Sequence, residues 1–468
     1  MKPMRAMIIV DMFPPANVVG VHRTVALCRR LVQTGWRVTV ITTCLRKDEP
    51  LDEQMLADVS QEVRVIRTAA PDLPVLASRV LRPWKPAASS LMPAQNASAD
   101  GASQKRRRVF RQAVDWLSMW LHTPDGRCGW FLPAVRAAMK EGARLPPQVI
   151  YSSGPRWTSH LVAAATSVLL KRPLVADFRD PWCGSAWHDR PAAHERFNLM
   201  LERWVVRRAS RVTCAWDGIR RRLAAVHPEA EGKIVTILNG FDERQLQSAQ
   251  PRRLHGDKCV FMHAGLFYGP RSPISLFEAL SALAVRRPQL CGEMHVLLAG
   301  ATTFNGQSIE QLAQRHGVRQ MLTVMPRVSH GDSIAMLKGA NVAMLFGQSG
   351  SDELASVPGK TYEFVGAGKP VLAVGAGSEA LGVLERGGCR IWRASDAPGI
   401  ALAVEDILTE HRCGRLVDSV STGRQSFSRA ATADALEQVL RRASGAHAIH
   451  RTQREPRAVE EIGTTPCQ

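Results

Sequence analysis

The opening of the chain restricts its possible folds more than any other stretch. Residues 6–10 are apolar and suit a buried strand, and residues 13–20 form a loop with two prolines and a glycine. Apolar residues then recur at helical spacing over 21–34, Gly35 is placed to end the helix, and 37–42 suits a second strand. This order starts a doubly wound parallel sheet, in which ligands bind beyond the carboxyl ends of the strands. We therefore expect an α/β fold with a ligand beside residues 13–20, a plain connecting turn being the alternative.

Length and charge set further bounds. With 468 residues, 45% of them hydrophobic, the chain is long enough for two globular domains. The net charge of +19 is uneven, because residues 1–250 carry 37 Lys and Arg against 22 Asp and Glu, and residues 251–468 carry 24 against 20. An anionic partner is therefore expected at the N-terminal half. The dinucleotide fingerprint G-x-G-x-x-G is absent from the first loop.

The lack of a recognisable targeting signal and the scattered cysteines predict a cytoplasmic protein. The first apolar run is interrupted at Asp11, which leaves it too short for a signal peptide, and no run of about 18 apolar residues suits a membrane span. The ten cysteines form no C-x-x-C pair, so we interpret them as scattered reduced thiols.

A basic segment in the first half suggests contact with a membrane surface. Residues 71–104 are rich in Pro, Ala and Ser and are predicted to be mobile. Residues 105–121 then place apolar side chains at helical spacing behind a basic start, a composition typical of a helix at an anionic bilayer. The alternative is a packed amphipathic helix with a solvated basic end, and no nucleic-acid-binding motif accompanies the charge. The predicted membrane contacts are Arg106, Arg107, Arg108, Trp116 and Trp120.

Two strand ends in the N-terminal half carry polar side chains. A predicted strand at 148–152 leads through a Ser-Ser-Gly-Pro turn to a helix with His160 in its first turn. A strand at 173–177 runs into the hexapeptide DFRDPW, whose charged groups form either an ion-pair cluster or a surface for sugar hydroxyls. The residues concerned are Asp177, Arg179, Asp180 and Trp182.

The C-terminal half repeats the pattern with phosphate-binding features. A strand at 258–264 ends in a loop with Gly265 and Arg271, and such a loop binds phosphate through backbone N–H groups and the cation. Further on, residues 356–375 form a loop, a short helix and a strand, with Lys360 and Glu363 on one helix face. The two side chains suit a phosphate and a sugar hydroxyl, or else pair with each other on the surface.

These motifs together resemble GT-B glycosyltransferases of the family 4 type. "FPP…G" followed by a helix and "GWRVTVITT", "HAGLFYGPRSP" and "PGKTYEFVGAGKPV" match the family's opening, its arginine loop and its donor-binding signature. The resemblance implies two Rossmann-like doubly wound parallel-sheet domains that face each other across a cleft. It implies an acceptor-side domain at 1–240, a linker at 241–257, a nucleotide-sugar-binding domain at 258–425 and a crossover helix at 426–443. Residues 444–468 are polar and aperiodic and are predicted to form a disordered tail.

The resemblance also implies roles for particular residues. The DFRDPW segment is similar to the acceptor-side cleft of one bacterial branch, and His160 would contact donor or acceptor. The resemblance further implies that a sugar is transferred, with retention of configuration, from a nucleotide sugar to a saccharide or lipid-linked acceptor. This transfer would need no metal or other cofactor and would serve the synthesis of cell-envelope or exported polysaccharide. The implied donor-binding residues are Gly20, Gly265, Arg271, Lys360 and Glu363, of which the last three, with His160, would be catalytic.

Two departures from the family pattern keep other functions open. Ala355 stands where the family has a first glutamate, with Asp352 and Glu353 as the nearest acids, and Leu276 stands where many members have a lysine. A catalytically silent nucleotide-sugar-binding or scaffold protein is therefore one alternative. A nucleotide-sugar epimerase, which would need further acid/base carboxylates in the cleft, is the other.

Overall fold

The structure is a computed structural model. It describes residues 3–16, 18–45, 51–57, 59–73, 116, 119–184, 191–269, 271–347 and 357–445. Most of the predicted mobile segment 71–104, Arg106–Arg108 of the basic segment, the loop containing Ala355 and the predicted tail beyond residue 445 lie outside the described residues.

The first half of the chain forms a seven-stranded parallel sheet. Its strands are β1 (Arg5–Ile9), β2 (Arg37–Thr43), β3 (Arg64–Thr68), β4 (Val149–Gly154), β5 (Leu174–Phe178), β6 (Arg211–Cys214) and β7 (Ile234–Thr236). They are arranged in the order β3-β2-β1-β4-β5-β6-β7. The sheet therefore grows in one direction from β1 to β3 and in the other from β4 onward, as in doubly wound folds.

Helices cover both faces of this sheet. They are α1 (Val19–Gln33), α2 (Gln54–Ala57), α3 (Phe131–Arg144), α4 (Thr158–Leu169), α5 (Ala192–Arg208), α6 (Asp217–Val226) and α7 (Glu243–Ser248). Helix α1 begins two residues earlier than its apolar spacing predicts, so Gly20 lies in the first helical turn instead of the preceding loop. Glycine is a poor helix former, and its position there has a packing reason given below.

The second half forms a six-stranded sheet with the same winding. Its strands are β8 (Cys259–Gly265), β9 (Met294–Gly300), β12 (Leu322–Met325), β13 (Val342–Phe346), β14 (Val371–Val374) and β15 (Ile391–Ala394), in the order β12-β9-β8-β13-β14-β15. A small hairpin, β10 (Thr303–Phe304) with β11 (Gln307–Ser308), projects from it. The helices are α8 (Ile274–Arg286), α9 (Pro288–Gly292), α10 (Ile309–Arg315), α11 (His330–Gly339), α12 (Gly359–Ala367), α13 (Ser378–Arg386) and α14 (Ala397–Arg412). The predicted class, α/β with two doubly wound parallel sheets, is confirmed.

The last described helix, α15 (Arg429–Ala443), packs against the first half of the molecule. Leu436 and Leu440 share a buried cluster with Ile8 of β1, and Glu437 accepts hydrogen bonds from Arg30 Nε (3.0 Å) and Trp36 Nε1 (3.2 Å). The helix starts at Arg429, three residues later than predicted, because residues 422–427 form a 3₁₀ turn.

The chain passes between the two halves at two adjacent places. The Phe241 N–H donates to Phe427 O at 3.0 Å, and the Arg429 N–H donates to Phe241 O at 2.8 Å. The side chain of Arg429 also pairs with Asp242 at 2.8 Å. These contacts join the two crossing segments side by side.

Candidate functional site

The winding of each sheet indicates where a ligand binds. In doubly wound sheets the crevice opens at the carboxyl ends of the two strands where the order reverses, here β1 and β4 in the first sheet and β8 and β13 in the second. Gly20 lies in the first turn of α1, the helix that follows β1, and Arg271 lies in the loop after β8. The connection after β13 leads to α12 with Lys360 and Glu363. Fold geometry therefore places these four predicted residues at the switch points.

Lys360 and Glu363 do pair with each other, within a larger polar cluster. Lys360 Nζ lies 3.0 Å from Glu363 Oε2 and donates to Ser333 Oγ at 3.1 Å. His330, the first residue of α11, places Nε2 2.9 Å from Glu363 Oε1. Burial raises the pKa of Glu363, but the hydrogen bond from His330 and the charge of Lys360 outweigh it and bring the pKa to about 2. The carboxylate is therefore ionised and oriented, with 13% of its side chain exposed.

A buried histidine connects this cluster with the arginine loop. His263 on β8 places Nδ1 3.1 Å from Met344 O. Because a carbonyl only accepts, Nδ1 carries the hydrogen and Nε2 is an acceptor. Nε2 is buried and has no hydrogen-bond partner among the described residues, and a Cβ on Gly265 would lie 3.1 Å from it. Burial lowers the pKa of His263 to about 4, and the nearby charges of Lys360 and Arg271 act in the same direction.

Arg271 holds its guanidinium over an aromatic ring. Its Nη1 donates to Tyr268 Oη at 2.8 Å, and its Cζ lies 5.1 Å from the centre of the Tyr268 ring. Its Nε is buried without a partner in the described part of the chain. The structure thus brings Gly265, Arg271, Lys360 and Glu363 together around His263, with two cations on one side of the cleft.

On the facing side, Gly20 is packed against Arg179. A Cβ at residue 20 would lie 1.4 Å from Arg179 Nη1, so a glycine is required for the guanidinium to approach the start of α1. Arg179 Nη2 donates to Pro155 O at 2.9 Å. Two residues after Gly20, the ring of His22 stacks on His330 of the second domain with centroids 6.2 Å apart. Gly20 and Arg179 therefore face the cluster around Glu363.

Asp177 has a structural environment and not the exposed one expected of an acceptor contact. It is fully buried and accepts from Arg23 Nε (3.0 Å) and Nη2 (2.9 Å), Tyr151 Oη (2.8 Å), Ser153 Oγ (2.9 Å) and Thr213 Oγ1 (2.6 Å). Burial raises the pKa of Asp177, but the charge and hydrogen bonds of Arg23 outweigh it and hold the pKa below its ordinary value. Five donors saturate the two carboxylate oxygens, so no lone pair remains for a sugar.

Trp182 and His160 also lie in the interior. Trp182 is fully buried, stacks on Trp157 at 5.4 Å and donates from Nε1 to Asn198 Oδ1 at 3.0 Å. His160 is fully buried between aromatic rings, with Nδ1 2.8 Å from Ser152 Oγ and a pKa that burial lowers to about 3. Neither side chain reaches solvent in this structure, and His160 Nε2 is buried without a hydrogen-bond partner among the described residues. The contact of His160 or Trp182 with donor or acceptor therefore stays a prediction.

Asp180 differs from its neighbour Asp177. It is partly exposed, and burial raises its pKa to about 6, an effect that the charge of Arg179 partly offsets. Of the DFRDPW segment, Arg179 and Asp180 are the residues that remain available to a ligand, and a carboxyl with this pKa is a feature of functional sites.

The predicted membrane residues fall in two groups. Arg106, Arg107 and Arg108 lie outside the described residues, whereas Trp116 is 60% exposed and stacks at an angle on Trp120 at 5.8 Å. No described helix is long and apolar enough to cross a bilayer. Within the described residues, no group of three or more His, Cys, Asp or Glu side chains could hold a metal ion.

The architecture and one region of the sequence match known glycosyltransferases. The two doubly wound domains form a GT-B fold. Residues 92–245, about a third of the chain, match the model of Glycosyltransferase Family 4 and are thus a domain of that type. No curated protein matches the chain by sequence.

Solved structures at low identity share the fold over nearly the whole chain. Sucrose-phosphate synthase from Thermosynechococcus elongatus is 17% identical, with a TM-score of 0.58 over 95% of this chain and 100% of that one. HepE from Anabaena in complex with UDP is 14% identical, with a TM-score of 0.58 over 93% and 99%. A putative UDP-N-acetylglucosamine 2-epimerase from Listeria monocytogenes is 13% identical, with a TM-score of 0.53 over 98% and 100%. These likenesses establish the fold alone.

Three histidines of the site were missed from the sequence. His22, His263 and His330 are far apart along the chain, and lone histidines are common packing residues. The available signal was position: His263 is two residues before the glycine that ends β8, and His330 begins the helix after β12.

Proposed function

We propose that this protein is a hexosyltransferase-type glycosyltransferase that moves a sugar from a nucleotide-sugar donor to a saccharide or lipid-linked acceptor. The cluster of Arg271, Lys360 and Glu363 around His263 is the observation that carries the proposal. Two cations suit a diphosphate, and an oriented carboxylate suits ribose hydroxyls. The UDP bound by HepE supports a nucleotide ligand for this fold.

The donor site would work by exchanging an internal ion pair for the ligand. A diphosphate at the end of β8 would attract Lys360 and Arg271, and the backbone N–H groups at the start of α12 would add their dipoles. Moving Lys360 toward phosphate would release Glu363 Oε2, while His330 keeps the other oxygen in place. The released oxygen would accept from a ribose hydroxyl.

The acceptor would bind on the facing domain, against Arg179 and Asp180. Gly20 would contact the donor phosphates through its backbone, while Arg179 occupies the space that a side chain at this position would take. We propose retention of configuration, in which the acceptor hydroxyl attacks on the face of the leaving diphosphate and a phosphate oxygen takes its proton. The cations stabilise the charge that develops on the leaving group, so the transfer needs no metal or other cofactor. We place the reaction in cell-envelope or exopolysaccharide synthesis, in the cytoplasm at the inner face of the membrane.

Nucleotide binding and donor turnover test the proposal. Calorimetry with UDP, GDP and ADP should detect binding of at least one, and the matching nucleotide sugar should be hydrolysed slowly without acceptor. Lys360→Ala and Arg271→Ala should each raise the Kd of that nucleotide about 10- to 100-fold, because each removes a charge-assisted hydrogen bond. Arg286→Ala is the matched control, since this cation lies 52% exposed in the same domain and pairs with Glu405 at 3.0 Å.

Products separate the alternatives. Release of free sugar whose configuration is unchanged at every carbon other than the anomeric one supports the transferase. Formation of an epimerised nucleotide sugar identifies an epimerase, and tight nucleotide-sugar binding without turnover identifies a silent binding protein. Unchanged nucleotide affinity in both site variants would refute the assigned diphosphate site.

A further inference from the structure

The outer side of helix α5 exposes an apolar stripe. Phe197, Met200 and Trp204 are spaced three and four residues apart, so they lie on one side of the helix. Their exposed fractions are 36%, 56% and 40%. The opposite side is buried and includes Asn198 and Val205. A contiguous exposed stripe of aromatic and methionine side chains marks a surface that contacts something.

A basic stripe runs beside the apolar one. Arg196, Arg203 and Arg207 are exposed, and at 3.6 residues per turn they lie within about 20° of a common line along α5. The apolar side chains lie about 40° to 100° from that line, all on the same side of it. Glu229 lies 3.4 Å from both Arg203 Nε and Arg207 Nε, so one carboxylate faces two guanidinium groups. The stripe therefore keeps a positive charge.

A second stretch of chain extends the apolar surface. The ring of Trp120 meets Phe197 edge-on at 5.6 Å, and Trp116, 60% exposed, packs on Trp120 at 5.8 Å. Two stretches about 80 residues apart in the chain thus form one surface, which we name the α5 outer face: Trp116, Trp120, Arg196, Phe197, Met200, Arg203, Trp204 and Arg207.

We propose that the α5 outer face docks on an anionic lipid bilayer, with the helix parallel to the membrane plane. Aromatic and methionine side chains would enter the boundary between headgroups and acyl chains, and the arginines beside them would meet lipid phosphates. A protein partner would not require a continuous basic stripe along one edge of the apolar surface. The sequence predicted membrane contact for Trp116 and Trp120, and the face on α5 comes from the structure.

The position of this face connects it to the acceptor side. Trp182 Nε1 donates to Asn198 Oδ1 at 3.0 Å, and the Gly184 N–H donates to Glu195 Oε1 at 2.8 Å. Helix α5 is therefore tied to the segment that carries Arg179 and Asp180. If the proposed function holds, on which this step rests, the arrangement favours an acceptor that is linked to a lipid and presented at the bilayer surface.

Vesicle binding tests the docking face with the full-length protein. Co-sedimentation is compared for phosphatidylcholine vesicles and for vesicles with about 30% phosphatidylglycerol, at about 50 mM and about 500 mM salt. We expect binding to the anionic vesicles that weakens at high salt. Arg196→Gln, Arg203→Gln and Arg207→Gln together should lower partitioning about 100-fold. Met200→Ser with Trp204→Ser should lower it by at least about tenfold.

Matched controls come from the other domain. One control removes three exposed arginines that are also paired with carboxylates, by Arg286→Gln, Arg393→Gln and Arg412→Gln together. The other removes two apolar side chains that are 83% and 61% exposed, by Val285→Ser with Leu402→Ser. These variants should bind vesicles like the unchanged protein. Circular dichroism confirms folding, and hydrolysis of a soluble donor should be unchanged in every variant.

The outcomes distinguish the docking face from the proposed activity. Vesicle binding that depends on the α5 outer face without donor turnover supports the face and refutes the transferase. Equal binding to neutral and anionic vesicles, or equal loss in the control variants, overturns the docking proposal. A change from dimer to monomer on Met200→Ser with Trp204→Ser, measured by light scattering, would overturn it in favour of self-association.

Discussion

Changing Asp177 to Asn tests how the buried charge network holds the first domain together. Arg23 and Asp177 form an ion pair at 2.9 Å with 4% and 0% of their side chains exposed. Arg23 also donates to Ile237 O (2.9 Å), Leu238 O (3.0 Å) and Asn239 Oδ1 (3.1 Å), so α1 is joined to the segment that leads out of the domain. Asp177→Asn keeps the shape and leaves the Arg23 charge buried without a counter-charge.

The expected cost follows from this burial. Removing one partner of a buried pair lowers the free energy of unfolding by about 3–5 kcal/mol, which corresponds to a fall in Tm of about 6–20 °C for a domain of this size. Urea unfolding followed by tryptophan fluorescence measures it. Arg23→Met in addition to Asp177→Asn should recover part of the loss, because no unpaired charge then remains inside.

A partly exposed ion pair between the two domains provides the control, and pH provides a second readout. Glu379→Gln breaks the pair with Arg221, in which the arginine side chain is 51% and the glutamate side chain 13% exposed, and should cost about 1 kcal/mol or less. Because the pKa of Asp177 lies below its ordinary value of 3.8, its stabilisation is present above about pH 4 and is lost as the pH falls toward the folded pKa. The Asn variant should lack this acid-dependent loss. A cost equal to that of Glu379→Gln, with an unchanged pH curve, would refute the reasoning.

Three further outcomes are expected. Gly20→Ala should displace the Arg179 guanidinium, so its effect on transferase activity should resemble that of Arg179→Ala, and the double variant should be no worse than either single one in a kinetic cycle. The pKa of Asp180 rises from 3.8 to about 6 on folding, so this group costs stability as the pH rises between these values. Asp180→Asn should therefore raise the free energy of unfolding by about 3 kcal/mol at pH 8 and by almost nothing at pH 4, as measured by urea titration. With a thiol reagent such as Ellman's, the exposed Cys44 and Cys413 should react in the native protein. Four other thiols should be protected until unfolding, because burial raises their pKa: Cys28, Cys214, Cys259 and Cys389.

Local patterns predicted the fold well because strand and helix periods are local properties. The spacing of Lys360 and Glu363 predicted one helix face, and the structure joins them at 3.0 Å. Contacts between side chains that are far apart in the chain could not be predicted from local patterns. His330 bonds to Glu363 from 33 residues away, and Arg23 pairs with Asp177 from 154 residues away. The residues of the DFRDPW segment therefore suited an ion-pair cluster and a surface for sugar hydroxyls equally, whereas packing decides that Asp177 and Trp182 are interior and leaves Arg179 and Asp180 partly exposed.

The return of helix α15 to the first domain has a consequence for biosynthesis. Leu436 and Leu440 complete the apolar cluster that contains Ile8, and Glu437 supplies the partner of Trp36. Domains generally fold as units while the ribosome is still adding residues. Here, however, the domain that begins at the N-terminus lacks part of its interior until residue 443 has emerged, long after its own sheet has been synthesised. The second domain has all its strands by residue 394 and its last core helix, α14, by residue 412, so we expect its interior to be completed before that of the first domain.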